Sequence, residues 1–246
     1  MAILVKIAMA RPPKRAVIVG TSFLEGHLPR GSRIQVTTPY GIVDLVELEN
    51  QVVLQRHGLD RYHPPHRIHH HAHLSALHQW GAEQIIALGS VGSLRLHHPP
   101  GSVVIPDDFF APTVTPSFHD DAHGHQLPRF DPSLRRELLE LLTSPPLPTP
   151  VDGGVYWQTT GPRFETPAEI RFHAHHVDYV GMTIASECIL ASELALPYAM
   201  VGIVDNFAHG IGHEPLTMAS FKDQVARNRE LALNILNKIL GRVDIQ

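Results

Sequence analysis

Short aliphatic runs recur along this chain, and each stops at small or polar residues. Ala16-Val17-Ile18-Val19 ends at Gly20-Thr21-Ser22, Ile85-Ile86-Ala87-Leu88 ends at Gly89-Ser90-Val91-Gly92-Ser93, and Val103-Val104-Ile105 ends at Pro106. Runs this short, apolar throughout and bounded by turn residues, read as buried strands. Arg33 to Leu48 alternates loosely around a Pro-Tyr-Gly turn at 39–41, and further strands are read at Val52-Val53-Leu54-Gln55, Val155 to Thr159 and Tyr198 to Val204. Helical patterns lie between them: Ile68 to Trp80, Leu134 to Leu142 with Ser133 as its cap, a helix opened by Pro167, Ser186 to Leu194, and one long helix over 217–240. Strands alternating with helices predict an α/β architecture, a central mixed sheet, part of it curled toward a barrel, flanked by helices. No internal repeat or composition break divides the 246 residues, so they are read as a single domain, with 1–15 as an N-terminal extension.

Composition narrows the function classes. A formal charge of −4 and an isoelectric point near 6.5 argue against a nucleic-acid footprint. Charged residues make up 18%, below the usual quarter or so, which predicts surface covered by partner subunits. The single cysteine, Cys188, excludes an internal disulfide and sits in an apolar stretch, as a buried structural thiol would. No run approaches the roughly 18 apolar residues of a membrane span. Met1 to Ala10 lacks a cleavage-like pattern, so a cytoplasmic protein without membrane contact is expected.

The segment Gly161-Pro162-Arg163-Phe164-Glu165-Thr166-Pro167-Ala168 places an aromatic ring beside a carboxylate, at a turn that opens a helix. Some 40 residues on, Val204-Asp205-Asn206-Phe207 closes an apolar strand. An aromatic face, a Glu acceptor and an amide that both donates and accepts are what is needed to stack and read a purine. Strand ends at Thr21-Ser22, Arg56-His57-Gly58, Gly89 to Gly92 and Met182-Thr183 are small and polar, so that backbone amides can approach an anion, and Arg56 adds a cationic fork. The glycine-rich turn fits neither G-x-G-x-x-G nor the P-loop, leaving a free-phosphate site built from several strand ends.

Taken in order over residues 16 to 240, these motifs resemble the purine nucleoside phosphorylase and methylthioadenosine phosphorylase family, and most closely its 6-oxopurine, methylthioinosine branch. Gly20 to Leu24 looks like the family's first phosphate loop, GGTGL or GGSGL; Arg56-His57-Gly58 matches RHG; Gly161 to Thr166 matches GPRFET; Gly181-Met182-Thr183 matches (N/G)MT. The resemblance implies a pentosyltransferase: inorganic phosphate attacks the anomeric carbon of a purine nucleoside and releases the base and ribose 1-phosphate or its 5-methylthio analogue. It implies that Ser22, Arg56, His57, the Ser90 amide and Thr183 hold phosphate, that Met182 packs under the ribose, and that Phe164, Glu165 and Asn206 bind the purine, with Asn206 and Glu165 catalytic. It also implies a homotrimer or a hexamer of trimers, with loop 111–132 at the interface and His125 lent to the neighbouring site. No cofactor or metal is expected, phosphate being a co-substrate.

An Asn at position 206, where relatives that prefer 6-aminopurines carry Asp, together with Glu165 as acceptor for N1–H, points to inosine, guanosine or 5′-methylthioinosine. A slip of one residue would put Asp205 there instead and suggest a methylthioadenosine phosphorylase. At the sugar's 5′ end the candidates are His213, Leu216, Met218 and Phe221; hydroxyl and methylthio both stay open. The chain departs from the family pattern at Thr21 and Phe23, at Arg61, and at His69-His70-His71-Ala72-His73 in place of N-Y-x-A-N. Nineteen histidines raise a rival reading, a metal-dependent nucleoside hydrolase using the four-apart pairs His69/His73 and His66/His70. A nucleoside-binding protein without catalysis is the third.

Overall fold

The computed structural model describes residues 12–24, 27–212 and 216–242; most of the expected N-terminal extension and His213 lie outside them. In chain order the elements are β1 (Arg15–Val19), β2 (Ser32–Thr38), β3 (Gly41–Glu47), β4 (Gln51–Gln55), α1 (His70–Trp80), β5 (Gln84–Ser93), β6 (Val103–Ile105), β7 (Asp108–Phe110) and α2 (Pro132–Leu142). They continue as β8 (Val151–Asp152), β9 (Val155–Gln158), α3 (Pro167–His173), β10 (Tyr179–Gly181), α4 (Ile184–Glu193), β11 (Tyr198–Phe207), α5 (Met218–Arg227) and α6 (Arg229–Ile239).

Among the described residues all eleven strands join one mixed sheet, ordered β2-β3-β4-β1-β5-β10-β9-β7, with β11 on the other edge of β5 and β6 and β8 beyond it. Successive side chains of a strand point to opposite faces, and β1 shows the result. Ala16 and Ile18 pack with α1 and α4 in one buried cluster, while Val17 and Val19 pack with α2 and α6 in another. The chain is thus an α/β domain with helices on both faces of its sheet. Leu134, Leu138 and Leu142, four apart on one side of α2, are all buried against that second layer.

Three sequence expectations are corrected. Gly89 to Ser93 is strand, not turn: β5 runs on because β11 pairs with it as far as Phe207↔Ser93. The helix over 134–142 begins at Pro132, and its cap is Asp131, whose carboxylate accepts from the amides of Ser133 and Leu134, so Ser133 lies inside the helix. The helix over 217–240 breaks at Asn228, whose side-chain amide turns inward to the Val204 carbonyl and the Asp205 carboxylate. Cys188 is fully buried, and burial pushes its thiol well above the ordinary range, which suits a structural role.

Candidate active site

The sheet opens where the site lies. β1 pairs with β5 only as far as Ala87, and β10 joins the same edge only at Gly92. Backbone groups of a strand alternate sides. The Ile85 amide donates toward β11, to the Pro197 carbonyl, and the Leu88 carbonyl accepts from Arg56 on the other side. By that alternation the Ser90 amide faces the stretch of edge that no strand covers. A cavity of about 840 Å³ fills this gap.

Of the residues singled out from sequence, Arg56, His57, Ser90, Phe164, Glu165, Met182, Thr183, Asn206 and Met218 line this one cavity, drawn from chain positions 56 to 218. Two do not. Ser22 is buried in the 3-10 turn Thr21–Phe23, and its neighbours Thr21 and Phe23 face the cavity instead. His125 is exposed on the long loop, away from the cavity in this single chain.

Arg56 is not a free fork. Its Nε and one Nη donate to the two oxygens of Glu187 at 2.7 and 3.1 Å, and the other Nη donates to the Leu88 carbonyl at 2.7 Å. Tyr198 donates its hydroxyl to the same Glu187 carboxylate at 2.7 Å. Arg56 and Glu187 are 2% and 1% exposed, so the pair is a locked, neutral unit. A Cβ on Gly20 would run into Nη1 of Arg56, so glycine is needed there for the guanidinium to lie against the backbone.

His57 donates from Nδ1 to the His63 carbonyl at 2.8 Å and stacks on Tyr62. Burial lowers its pKa to about 4, so at neutral pH the ring is uncharged and Nε2 is an acceptor. Thr183 caps α4 without using its side chain on the helix, leaving the hydroxyl available at a helix N-terminus, where the potential is positive.

Among the residues expected to bind the purine, Glu165 is buried and its Oε1 accepts from the Thr159 hydroxyl at 2.6 Å. Burial raises the pKa of this carboxyl above the ordinary range. Phe164 meets Phe221 of α5 edge to face, with centroids 5.7 Å apart. Gly161 adopts φ +62°, and a Cβ there would come within 2.7 Å of the Met182 sulfur, so this turn requires glycine beside the thioether.

The register of β11 answers the Asp205 or Asn206 question. Val204 pairs with Val91 and Asn206 with Gly92, so Asp205 is the extra residue of a bulge. Its carboxylate turns inward to Asn228 at 2.7 Å, with Oδ2 lacking a partner, and burial raises its pKa. Asn206, not Asp205, reaches the cavity, donating one N–H to the Phe207 carbonyl at 2.8 Å and keeping the rest of its amide free.

His66 lies in a separate 3-10 turn, apart from α1, and His69 is the cap residue of α1 with its ring edge-on to His63. His70 and His73 turn inward, with their Nδ1 atoms enclosed and unpartnered. Among the described residues no group of three or more His, Cys, Asp or Glu converges as a metal site would require. Burial lowers both histidines to about 3. The folded chain thus refuses protons on His57, His70 and His73 that the unfolded chain accepts below the ordinary value of 6.5. Stability is full above that value and falls as pH drops from it toward 3, by up to about 1.4 kcal/mol per pH unit for each ring. Urea midpoints measured from pH 7.5 to 4.5 should fall, and a His70→Asn/His73→Asn variant should show a shallower fall. An equal fall in the variant would assign the acid sensitivity elsewhere.

Sequence reasoning missed Glu187 and Gln55. The one local signal for Glu187 is an acid inside the apolar stretch Ile184 to Leu190. Gln55 donates to the carbonyls of Gly20 and Phe23 and so ties the Thr21–Phe23 turn to the end of β4.

A family model described as "Phosphorylase superfamily" matches residues 14–241. A probable 6-oxopurine nucleoside phosphorylase of Archaeoglobus fulgidus is 36% identical over 235 residues, covering 92% of this chain and 96% of that one. A probable S-methyl-5′-thioinosine phosphorylase of Methanosarcina acetivorans is 37% identical over 220 residues, covering 85% and 83%. Among solved structures, a methylthioadenosine phosphorylase from Schistosoma mansoni in complex with adenine superposes with a TM-score of 0.80 at 27% identity, covering 94% of this chain and 93% of that one. With the match running through every wall of the cavity, the chain belongs to the phosphorylase superfamily.

Proposed function

We propose that this chain is a purine nucleoside phosphorylase acting on 6-oxopurine nucleosides, with 5′-methylthioinosine as its preferred substrate. The observation that carries the base preference is the bulge at Asp205, which brings the Asn206 amide into the cavity that Glu165 also lines. The free oxygen of Glu165 accepts from N1–H of a 6-oxopurine, and the Asn206 amide donates to O6 or holds N7 as the base departs with negative charge. Phosphate lies under the sugar, in reach of the Ser90 amide, Thr183, Arg56 and His57. The neutral His57 Nε2 accepts a P–O–H hydrogen, which orients the nucleophile for in-line attack. This chemistry uses no metal and no cofactor.

At the 5′ end the described candidates that line the cavity are apolar: Leu216, Met218 and Phe221, joined by Val225. A 5′-hydroxyl against that wall would lose its water partners, whereas a methylthio group gains from burial. A homotrimer fits the long loop, whose Leu127 is 90% exposed in the single chain near the exposed His125. Base release should be measured with and without phosphate on inosine, guanosine, adenosine, methylthioadenosine and methylthioinosine. The expected result is phosphate-dependent release, fastest from methylthioinosine. Preference for methylthioadenosine would overturn the base assignment, and chelator-sensitive release without phosphate would replace phosphorolysis by hydrolysis.

A further inference from the structure

We propose that Arg229, which belongs to none of the sequence motifs, supplies the net positive charge that holds the attacking phosphate. This rests on the phosphorolysis reading. The motif residues around the anion carry no net charge between them. Arg56 is neutralised by the Glu187 carboxylate in a pair that water barely touches, and His57 is uncharged at neutral pH. Ser90 and Thr183 offer only dipoles. Asp60, also on the cavity wall, is paired with Arg33 at 2.9 Å. Moving phosphate from water into such a cavity without a counter-charge is costly.

Two further cations line the cavity, Lys222 and Arg229, seven residues apart. Lys222 is exposed. Arg229 is half-buried, its Nε is enclosed without an acceptor, and its side chain makes no hydrogen bond or ion pair among the described residues. A guanidinium held in this way has its donors spare for an anionic guest. Its position suits phosphate. Arg229 opens α6, which packs against the Thr21–Phe23 turn, and Thr21 and Phe23 line the same cavity.

The test compares Arg229→Met, which keeps the apolar stem, and Arg229→Lys, which keeps the charge, with the parent enzyme. Steady-state kinetics should be run against phosphate and, separately, against nucleoside, with titration calorimetry of phosphate binding to the enzyme without nucleoside. Arg229→Met should weaken phosphate by about 10- to 100-fold in both KM and Kd while moving the nucleoside KM by less than about 2-fold, and Arg229→Lys should recover part of the loss. Phosphate constants that do not change, or a rise confined to the nucleoside KM, would overturn the assignment; the latter would place the guanidinium at the 5′ end. Calorimetry separates the two readings. If phosphate binds in an Arg229-dependent way but never drives base release, the phosphorolysis reading fails and Arg229 remains an anion-binding residue.

Discussion

Replacing Glu187 with alanine should destabilise the fold by about 3–5 kcal/mol, one of the largest losses available from a single side chain in this protein. The reason is the state it leaves behind. Arg56 is 2% exposed, and its Nε and one Nη reach no acceptor except Glu187. Truncation strands a guanidinium that cannot lose its proton and, at 2% exposure, meets little water to replace the lost acceptor. It also strands the Tyr198 hydroxyl, which is fully buried and donates to the same carboxylate. Removing one partner of a buried pair costs far more than the pair contributes, because the survivor keeps its desolvation penalty. Equilibrium urea unfolding of the two proteins at pH 7.5 measures the difference. A midpoint close to that of the parent would mean that water enters beside Arg56, and the picture of a locked, neutral arginine would be wrong. A double exchange, Glu187→Leu with Arg56→Met, should be milder than the single alanine change, since it removes both charges and refills the volume. Its phosphate Kd, compared with that of Arg229→Met, then separates the stabilising role of the pair from any direct contact of Arg56 with the anion.

How far the sequence was legible follows from how local each determinant is. The strands at 15–19 and 51–55 were readable because β-branched runs bounded by turns carry their own signal. The start of α3 was readable too, because Pro167 marks a helix's first turn, and the capping box of Thr166 with Glu169 is a local pattern only four residues long. What was not readable depends on distant partners. Gly89 to Ser93 looks like a turn in isolation and becomes strand only because β11, more than 100 residues later, pairs with it. The break in the terminal helix at Asn228 is set by Asp205 and Val204. Glu187 meets Arg56 across 131 residues, so no spacing rule reveals the pair. The same holds for Arg229, which only the fold brings to the wall of the cavity that Thr21 and Phe23 also line. The bulge at Asp205 is the most consequential of these, because it decides which of two adjacent side chains reaches the cavity.

That decision yields the second large effect. Asn206→Asp should shift the ratio of kcat/KM for 6-oxopurine over 6-aminopurine nucleosides by about 100-fold or more toward adenine. An ionised carboxylate has no hydrogen to give O6 and faces its lone pairs, whereas it accepts from a 6-amino group. The switch should be incomplete, and the reason is Glu165. Adenine presents a bare N1, so an ionised Glu165 opposes it and a protonated Glu165 donates to it. Burial already raises the pKa of Glu165. Its neutral form therefore becomes more abundant as pH falls, and adenosine turnover by the variant should rise, relative to inosine turnover, as the assay moves from pH 8 to pH 5.5. Asn206→Asp also loses the N–H that donates to the Phe207 carbonyl, so Asn206→Ala is the control for damage to the bulge itself. If the alanine variant slowed base release from both nucleosides without changing their ratio while the aspartate variant moved it, Asn206 would be established as the reader of the 6-position. An aspartate variant whose base ratio did not move would transfer that role to another wall of the cavity and remove the main support for a 6-oxopurine enzyme.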